Sequence, residues 1–440
     1  MHSSYRLLVK KVTRMEAWKR NLFILWFGTF FSSVGIGMII PFLPLYVQEL
    51  GIHDVQQAAL WAAMIFGINH LMIALISPFW GRFSDKYGQK VTMVRAGLGS
   101  AVIIAAMGLV HTPLQLLLLR ALFGTMGGFS VSAVALMAIE APKEQVGRVL
   151  GILQTGQVTG QLLGPLLGGV MAEWLGMRNS FFFTGLFIFT AGLLVLFGVH
   201  ETRKYPKFRF QWGSRKAAVA AAASTTASTV PKPEKLQLNA VIKRSPVILT
   251  LFVSTFLISV SFQSISPIIT LYVKSMNIQN HVEIMAGLIF ASSALGTMIS
   301  APILGRLGDR YGYLSILLCC LLLISVLYIP QARISDPWVL MGARFLSGLC
   351  VGGLIPSISS LLRSLTPTAI QGSVFSYNAS ASSLGNVSGS LFGGVVASHM
   401  GIPVVFYIIS GVFLLHFLML AFQAKKMNRT RKHMESAVEV

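Results

Sequence analysis

Hydrophobic residues in this chain fall into long runs that are separated by short polar segments. Each run holds about 20 residues or more, the length that an α-helix needs to cross a hydrocarbon core of ~30 Å. Strands do not explain such runs, because the strands of a membrane barrel alternate polar and apolar residues. A backbone in lipid must also satisfy its own hydrogen bonds, so the runs predict helices. We number them as spans 1 to 12, at roughly 21–46, 58–80, 91–110, 114–138, 149–174, 178–199, 247–274, 283–305, 313–331, 336–362, 372–400 and 402–424.

The composition agrees with an all-α integral membrane protein. Hydrophobic residues make up 54% of the chain and charged residues 11%, whereas a soluble domain has about 25% charged residues. The three cysteines, Cys319, Cys320 and Cys350, lie within hydrophobic runs. Their spacing suits neither a disulfide framework nor a metal site, so we predict no metal.

One polar motif occurs twice, as GRFSDKYGQK from Gly81 and as GRLGDRYGY from Gly305. Each copy follows a hydrophobic run and lies in a predicted loop. Four pairs of residues stand 224 positions apart: Gly81 and Gly305, Asp85 and Asp309, Gly88 and Gly312, Arg120 and Arg344. A constant offset over four pairs indicates an internal repeat, so the twelve spans form two related halves of six.

The chain therefore divides into five segments. Each half is a six-helix bundle, and the region between them is basic, low in complexity and unable to form a core. The segments are a cytoplasmic lead at 1–20, the first bundle at 21–200, a cytoplasmic linker at 201–245, the second bundle at 246–425 and a cytoplasmic tail at 426–440.

The net charge is +21, and its basic residues are concentrated on one side of the membrane. Of 35 lysines and arginines, 29 lie in the two tails and in alternate loops. Basic residues accumulate on the cytoplasmic side of membrane proteins, so both termini are expected in the cytoplasm. The charge is expected to contact anionic lipid head groups rather than nucleic acid. These features predict a multi-pass protein of the inner (plasma) membrane.

The doubled loop, the twelve spans and the basic central loop resemble the major facilitator superfamily of secondary transporters. Span 4 contains LRALFGTMGG, from Leu119, which is similar to the family's arginine-containing motif. Span 5 carries the pattern G-x-x-x-G-P-x-x-G-G, which marks antiporters in this superfamily. The second half has only a decayed copy from Gly385, with Ser390 in place of the proline. The span 5 motif residues are Gly160, Gly164, Pro165, Gly168 and Gly169.

The sequences PFLPLY from Pro41 and FSYN from Phe375 make the chain most similar to the MdtG-type branch of the twelve-span drug:proton antiporters. The resemblance implies the major facilitator fold, with two pseudo-symmetric six-helix bundles. It also implies a monomer that exchanges a small-molecule substrate for protons and needs no cofactor.

The repeated residues are gating and coupling candidates. The resemblance implies that each loop aspartate docks at the start of a helix in the other half, Asp85 near Gly372 and Asp309 near Gly147, and so closes the cytoplasmic side. The alternative is a pair of solvated loop charges. Arginine at membrane depth is a functional candidate, although it can also extend to the surface. The candidates are Asp85, Asp309, Arg120, Arg344, Gly88 and Gly312.

The proton carrier is not evident, because none of the 14 acidic residues lies at mid-membrane. Many drug:proton antiporters place a carboxylate in span 1, and this chain departs from that pattern. The candidates are Asp85, His70 and Glu140. For His70 the alternative is a neutral histidine that is hydrogen-bonded between helices.

Polar and aromatic side chains recur on the spans that line the central path in this fold. They favour amphipathic substrates that are neutral or weakly charged, and for each the alternative is a hydrogen bond between helices. The substrate-cavity candidates are Trp26, Phe30, Asn69, Gln154, Gln157, Gln161, Gln263, Asn378 and Ser382.

The sequence thus predicts proton-coupled efflux by alternating access. The alternatives are a dedicated exporter or importer of one natural metabolite, such as a siderophore, and a membrane sensor or enzyme on the same scaffold. No Walker-type phosphate loop is present, so direct ATP-driven transport is not expected. The sequence shows no clustered nucleophile and base and no set of metal ligands, so we do not expect an enzyme.

Overall fold

The computed structural model describes residues 2–142, 145–201, 246–276, 281–366 and 371–438. Within these residues all twelve spans are helical, which confirms the predicted all-α membrane fold. The helices are His2–Glu49 (span 1), Val55–Tyr87 (span 2), Gln89–Met107 (span 3), Pro113–Thr125 and Phe129–Glu140 (span 4), Val146–Leu175 (span 5), Met177–Gly198 (span 6), Pro246–Ile265 and Ile269–Lys274 (span 7), Val282–Tyr311 (span 8), Tyr313–Gln331 (span 9), Pro337–Leu365 (span 10), Gln371–Met400 (span 11) and Ile402–Val438 (span 12).

Ten of the spans are long and apolar enough to cross a membrane on length and composition alone. The other two, spans 5 and 11, have 30 residues each. Span 5 is rich in glycine and glutamine, and span 11 is rich in glycine and serine. Both are contact helices between the halves, where small residues allow close approach and less of the helix faces lipid.

The segment boundaries that the sequence predicts remain predictions. The helix of span 1 continues back through the lead to His2, and the helix of span 12 continues through the tail to Val438. The predicted linker at 201–245 lies, apart from Glu201, outside the described residues.

Spans 4 and 7 are broken, although the sequence predicted a continuous helix for each. In span 4, Gly128 has a φ of +113°, a left-handed conformation that glycine adopts without steric cost. In span 7, Pro267 lies between the two helices and has no N–H to donate to the preceding turn.

The polar motif is helical in both copies, so the predicted loops are wrong: residues 81–87 are the last turns of span 2 and residues 305–311 those of span 8. Each copy is followed by the same one-residue turn. Gly88 has φ +105° and ψ 153°, and Gly312 has φ +90° and ψ 133°. Each glycine is the single residue between two consecutive helices, and its N–H donates a hydrogen bond to a carbonyl oxygen of the preceding helix. A residue with a Cβ would be strained in this conformation, so the repeated glycine has a backbone reason in both halves.

Each bundle has its own aromatic core. Phe42 packs edge-to-face on Phe181 at 5.1 Å between ring centroids in the first half, and both rings are fully buried. Tyr328 packs on Phe413 at 5.6 Å in the second half. These ring contacts stabilise the packing of helices within each bundle.

Within the described residues, the close contacts between the halves lie toward one side of the membrane. We call the side that carries Gly88 and Gly312 the motif face and the opposite side the far face. A methyl group added at Gly169 would lie 2.3 Å from the Glu283 carbonyl oxygen, and one at Gly394 would lie 2.1 Å from the Ala63 Cβ. Both contacts join the two halves near the far face.

The corresponding positions on the motif face are open. A methyl group added at Gly81, Gly147 or Gly305 would meet no heavy atom within 4 Å. The side chains of Ile355 and Tyr377 near this face are 61% and 53% exposed. The structure is therefore closed at the far face and open at the motif face.

Candidate functional site: the central cleft and its gates

The span 5 motif packs closely on span 1. A methyl group added at Gly164 would lie 2.7 Å from the Val34 carbonyl oxygen, and one at Gly168 would lie 2.0 Å from that of Met38. Any larger residue on this face would push the two helices apart. The Gly160 and Gly164 positions therefore hold span 5 against span 1, as small residues do at membrane helix contacts.

The same motif also reaches the other half. Gly169 meets the backbone of Glu283, and a methyl group added at Gly287 would lie 2.5 Å from the Pro165 carbonyl oxygen. One stretch of span 5 thus forms both the contact inside the first bundle and the contact with span 8.

The second half repeats this arrangement more faithfully than its sequence indicates. A methyl group added at Gly389 would lie 2.4 Å from the Val260 carbonyl oxygen, and one at Gly393 would lie 2.0 Å from that of Ser264. Gly394 meets Ala63 of span 2. The copy in span 11 lacks the proline, yet its glycines make the equivalent contacts with span 7 and with the first half.

An aromatic surface lies on span 1. The rings of Trp26 and Phe30 are stacked, with centroids 5.7 Å apart and an interplanar angle of 4°. The Trp26 indole donates a hydrogen bond of 2.9 Å to Thr155 Oγ1 on span 5. The bond fixes the orientation of the indole ring, so its face is available for stacking.

A cavity of about 250 Å³ lies between spans 7, 10 and 11, and we call it the polar cavity after its hydroxyl and amide groups. Most of its surface is formed by apolar side chains such as Ile358 and Phe262. Thr255 Oγ1 donates to Asn378 Oδ1 at 2.6 Å, and the hydroxyl oxygens of Ser259 and Ser382 are 2.9 Å apart. The predicted residues Asn378 and Ser382 therefore lie in one cavity. The sequence did not single out their span 7 partners.

The other cavity candidates are dispersed. Gln154 and Gln161 are exposed on span 5, and Gln157 is half-buried between them. Asn69 is buried, and its Oδ1 has no hydrogen-bond partner among the described residues. Gln263 is half-buried on span 7 and is not part of the polar cavity.

The two predicted arginines are buried beside aromatic rings. The Arg120 guanidinium carbon lies 5.7 Å from the Phe66 ring centroid and 5.8 Å from that of Phe123. Arg344 donates to the Tyr328 hydroxyl at 3.2 Å. Among the described side chains no carboxylate forms an ion pair with either arginine. Ring faces and a phenol oxygen therefore accompany these charges at depth.

The three proton candidates occupy different surroundings. His70 is half-buried in span 2, within electrostatic range of Arg120. Glu140 is buried and accepts a hydrogen bond of 2.7 Å from the Asn21 side-chain amide. Asp85 is exposed and lines a cavity of about 310 Å³ on the motif face.

The contacts predicted for Asp85 and Asp309 with helix starts of the other half remain predictions. In this open state Asp309, in the last turn of span 8, accepts a hydrogen bond from the Tyr313 hydroxyl at the start of span 9. Span 5 begins near Gly147 in open space. Gly372, the expected partner position of Asp85, lies in the first turn of span 11, and its surroundings are outside the part of the chain that the structure describes.

Sequence reasoning missed a cluster at the break in span 4. Arg95 of span 3 donates to the carbonyl oxygens of Gly127 at 2.8 Å and Thr125 at 3.3 Å. The Trp80 indole of span 2 also donates to Thr125, at 2.7 Å, and its ring centroid lies 3.4 Å from the Arg95 guanidinium carbon. An arginine inside a hydrophobic run was the available signal, because such a charge needs partners at depth.

The sequence profile of the Major Facilitator Superfamily matches residues 25–285 and 251–438. The chain belongs to the Major Facilitator Superfamily. This confirms the resemblance drawn from the doubled loop motif and the span 5 glycines, and it makes the protein a member of a transporter family rather than an enzyme family.

Individual relatives support the same family assignment. The "Multidrug resistance protein MdtG" of Dickeya zeae (strain Ech586) is 37% identical over 400 residues, which cover 91% of this chain and 93% of the relative. The protein of the same name from Proteus mirabilis (strain HI4320) is 38% identical over 402 residues, covering 91% and 94%. The MdtG-type resemblance is therefore also confirmed.

Solved structures share the fold of this superfamily member. The nucleoside transporter NupG superposes with a TM-score of 0.70 at 12% identity, covering 91% of this chain and 99% of that one. A bacterial homolog of the human lysosomal transporter Spinster superposes with a TM-score of 0.69 at 13% identity, covering 92% and 96%. At such identities the similarity concerns the fold alone.

Proposed function

We propose that this protein is a proton-coupled efflux transporter that exports amphipathic small molecules of several kinds. The observation that carries the proposal is a cleft between two bundles that is open at one membrane face and closed at the other. The closing contacts involve Gly169 and Pro165 of the antiporter motif. Relatives named as multidrug resistance proteins, which match over nine tenths of the chain, support the choice of substrate class.

The motif face is the cytoplasmic side in this proposal, and the membrane is the inner (plasma) membrane. The support is the concentration of basic residues in the tails and in the loops of that face. Both termini are then cytoplasmic, the basic residues contact anionic lipids, and the protein acts as a monomer. The structure corresponds to the state that accepts substrate from the cytoplasm or the inner leaflet.

The two walls of the cleft differ in chemistry, and this difference suits amphipathic substrates. The stacked Trp26 and Phe30 rings offer an apolar surface on the first half. The cavity around Asn378 and Ser382 offers hydroxyl and amide groups on the second. Neither wall has a carboxylate among its described residues, so the site favours neutral or weakly charged aromatic molecules with hydrogen-bonding groups over strong cations.

Asp85 and Asp309 of the polar motif act in the opposite state of the transport cycle. When the motif face closes, Asp85 and Asp309 are expected to dock at helix starts of the other half. A carboxylate at a helix N-terminus is favourable by about 0.3–1 kcal/mol. That is enough to bias a balance between states a few kcal/mol apart. The turns at Gly88 and Gly312 position the ends of spans 2 and 8 for this contact.

Everted membrane vesicles test the proposal. In vesicles that contain the protein, an aromatic dye should accumulate only when a pH gradient is present and should leave when the gradient is collapsed. Vesicles from cells with the empty vector provide the control. Uptake without a gradient contradicts proton coupling, and uptake of one natural metabolite but of no dye supports the dedicated exporter instead.

The proton carrier is tested separately. Purified protein should release protons when substrate is added, and the release should fall in Asp85→Asn more than in His70→Gln or Glu140→Gln. Release that is unchanged in Asp85→Asn but lost in His70→Gln reverses this order. Release that survives all three substitutions excludes these three residues as the carrier.

A further inference from the structure

A pair of titratable side chains joins the two halves at the far face. Glu173 lies near the end of span 5, and His281 directly precedes span 8. The His281 Nδ1 is hydrogen-bonded to Glu173 Oε1. The Glu173 side chain is 17% exposed and the His281 side chain 69% exposed. The histidine is therefore open to the medium outside, and the carboxylate behind it is largely shielded.

The backbone at His281 is held in an uncommon conformation. Its φ of +69° is left-handed, and it is the only non-glycine residue with a positive φ in the described part of the chain. Non-glycine residues in this region cost free energy and persist where their surroundings require it. Here the conformation places the imidazole against span 5 of the other half.

A second polar contact crosses the same face. Lys274 Nζ, at the end of span 7, donates to Gln48 Oε1 of span 1 at 2.6 Å. Between the halves lies a cavity of about 350 Å³. The other titratable groups around this cavity and the pair, among the described residues, are Glu49 at the end of span 1, His53 after it, Arg178 of span 6, Lys274 of span 7 and Glu283 of span 8.

We propose that Glu173 and His281 form an outer latch, which keeps the far face closed and holds it more firmly when the outside is acidic. The inference rests on the proposed function and orientation. A protonated imidazole forms a charge-assisted pair with the carboxylate, whereas a neutral imidazole forms only an ordinary hydrogen bond. Opening the far face moves span 5 away from span 8 and separates the two groups.

The latch has a use in an exporter. Once substrate has left to the outside, the empty carrier must close its far face before it can accept the next molecule. When the imidazole carries a charge, its pairing with the Glu173 carboxylate favours closure. Glu173 and His281 are thus positioning residues for the return step and do not contact substrate.

Distances between spin labels across the far face test the latch. Cysteines replace Val55 and Met400, which are 40% and 63% exposed at the outer ends of spans 2 and 11, and alanine replaces the three native cysteines. The fraction of molecules with a long distance is measured by double electron–electron resonance in lipid nanodiscs at pH 5.5 and pH 8. The control is His111→Asn, a histidine in another loop of the far face.

The parent protein should shift toward the short distance at pH 5.5, by about fivefold in the ratio of the two populations. Glu173→Gln and His281→Asn should abolish the shift and raise the long-distance fraction. His281→Lys should keep the short distance at both pH values, because its charge does not titrate in this range. His111→Asn should behave as the parent.

A pH shift that persists in both Glu173→Gln and His281→Asn overturns the proposal, as does an equal loss in His111→Asn. A shift that returns to the parent value in His281→Lys also contradicts it. The measurement uses neither substrate nor a proton gradient. A protein that does not export drugs would therefore still report on the latch.

Discussion

At the scale of single residues, many glycines of the spans allow two helix backbones to approach closely. Gly168 lies where span 5 meets span 1, and an added methyl group would lie 2.0 Å from the Met38 carbonyl oxygen. Gly411 lies on span 12, and a methyl group there would meet no heavy atom within 4 Å. The same residue type is thus required at one position and replaceable at the other.

We expect Gly168→Ala to lower the free energy of unfolding by about 1–3 kcal/mol, since the extra methyl group must push two helices apart. The matched control, Gly411→Ala, should be neutral or stabilising by about 0.5–1 kcal/mol, because alanine is the better helix former. Thermal unfolding of the purified variants in one detergent measures both. Equal melting temperatures for the two variants would contradict the role of Gly168 in close packing.

The contribution of Asp85 to transport can also be tested with a single substitution. Asp85→Asn should reduce gradient-driven dye transport about two- to fivefold, the effect of losing an interaction of about 0.3–1 kcal/mol between a carboxylate and a helix N-terminus. Membrane insertion should be unchanged. The exposed neighbour Lys86 provides the control as Lys86→Gln. Normal transport by a well-expressed Asp85→Asn protein would exclude the gating role.

At the scale of elements, the break in span 4 is stabilised by its neighbours rather than by its own sequence. Two carbonyl groups at the break, those of Thr125 and Gly127, accept hydrogen bonds from other spans, whose donors are Arg95 and Trp80. Two spans thus hold the end of a third. The planar guanidinium can reach two carbonyl oxygens at once, which a lysine ammonium does less well.

Arg95→Lys should therefore destabilise the protein by about 1–3 kcal/mol, because a buried carbonyl group loses its donor. Trp80→Phe, which keeps the ring but removes the N–H, should cost about 1 kcal/mol for the bond to Thr125. Arg82→Lys, an exposed arginine of the same bundle, is the control. If all three variants melt alike, the break does not depend on these donors.

At the scale of the whole molecule, the far face must open for transport to occur. The Cβ of a residue placed at Gly67 of span 2 would lie 3.7 Å from the Ser390 Cβ of span 11. That distance is within the range of about 3.5–4.5 Å that disulfides require. A disulfide between these positions would tie the two halves together at the closed face.

We expect Gly67→Cys with Ser390→Cys, in a protein whose native cysteines are alanine, to cross-link on oxidation and to lose transport. Reductant should restore the activity, and each single substitution should transport under both conditions. Mass spectrometry of the linked peptides and the vesicle assay provide the readouts. A fully cross-linked protein that still transports would rule out opening between spans 2 and 11.

The sequence by itself determined the twelve spans, the two halves and the family, because these depend on local quantities. The length of a hydrophobic run sets whether a helix crosses the bilayer, and a residue offset reveals a repeat. The glycines of the polar motif and of span 5 were also recognisable from the sequence. Their function depends on properties of glycine itself, namely a positive φ angle in the motif and the absence of a side chain in span 5.

Only the tertiary structure decided which residues meet across the cleft. Glu173 and His281 stand 108 positions apart in the chain, and Arg95 meets the broken backbone of a different span. It also decided that spans 4 and 7 are interrupted and that the far face is the closed one. These features depend on how whole helices pack and on which state the halves adopt, and a pattern within a single helix carries no information about either.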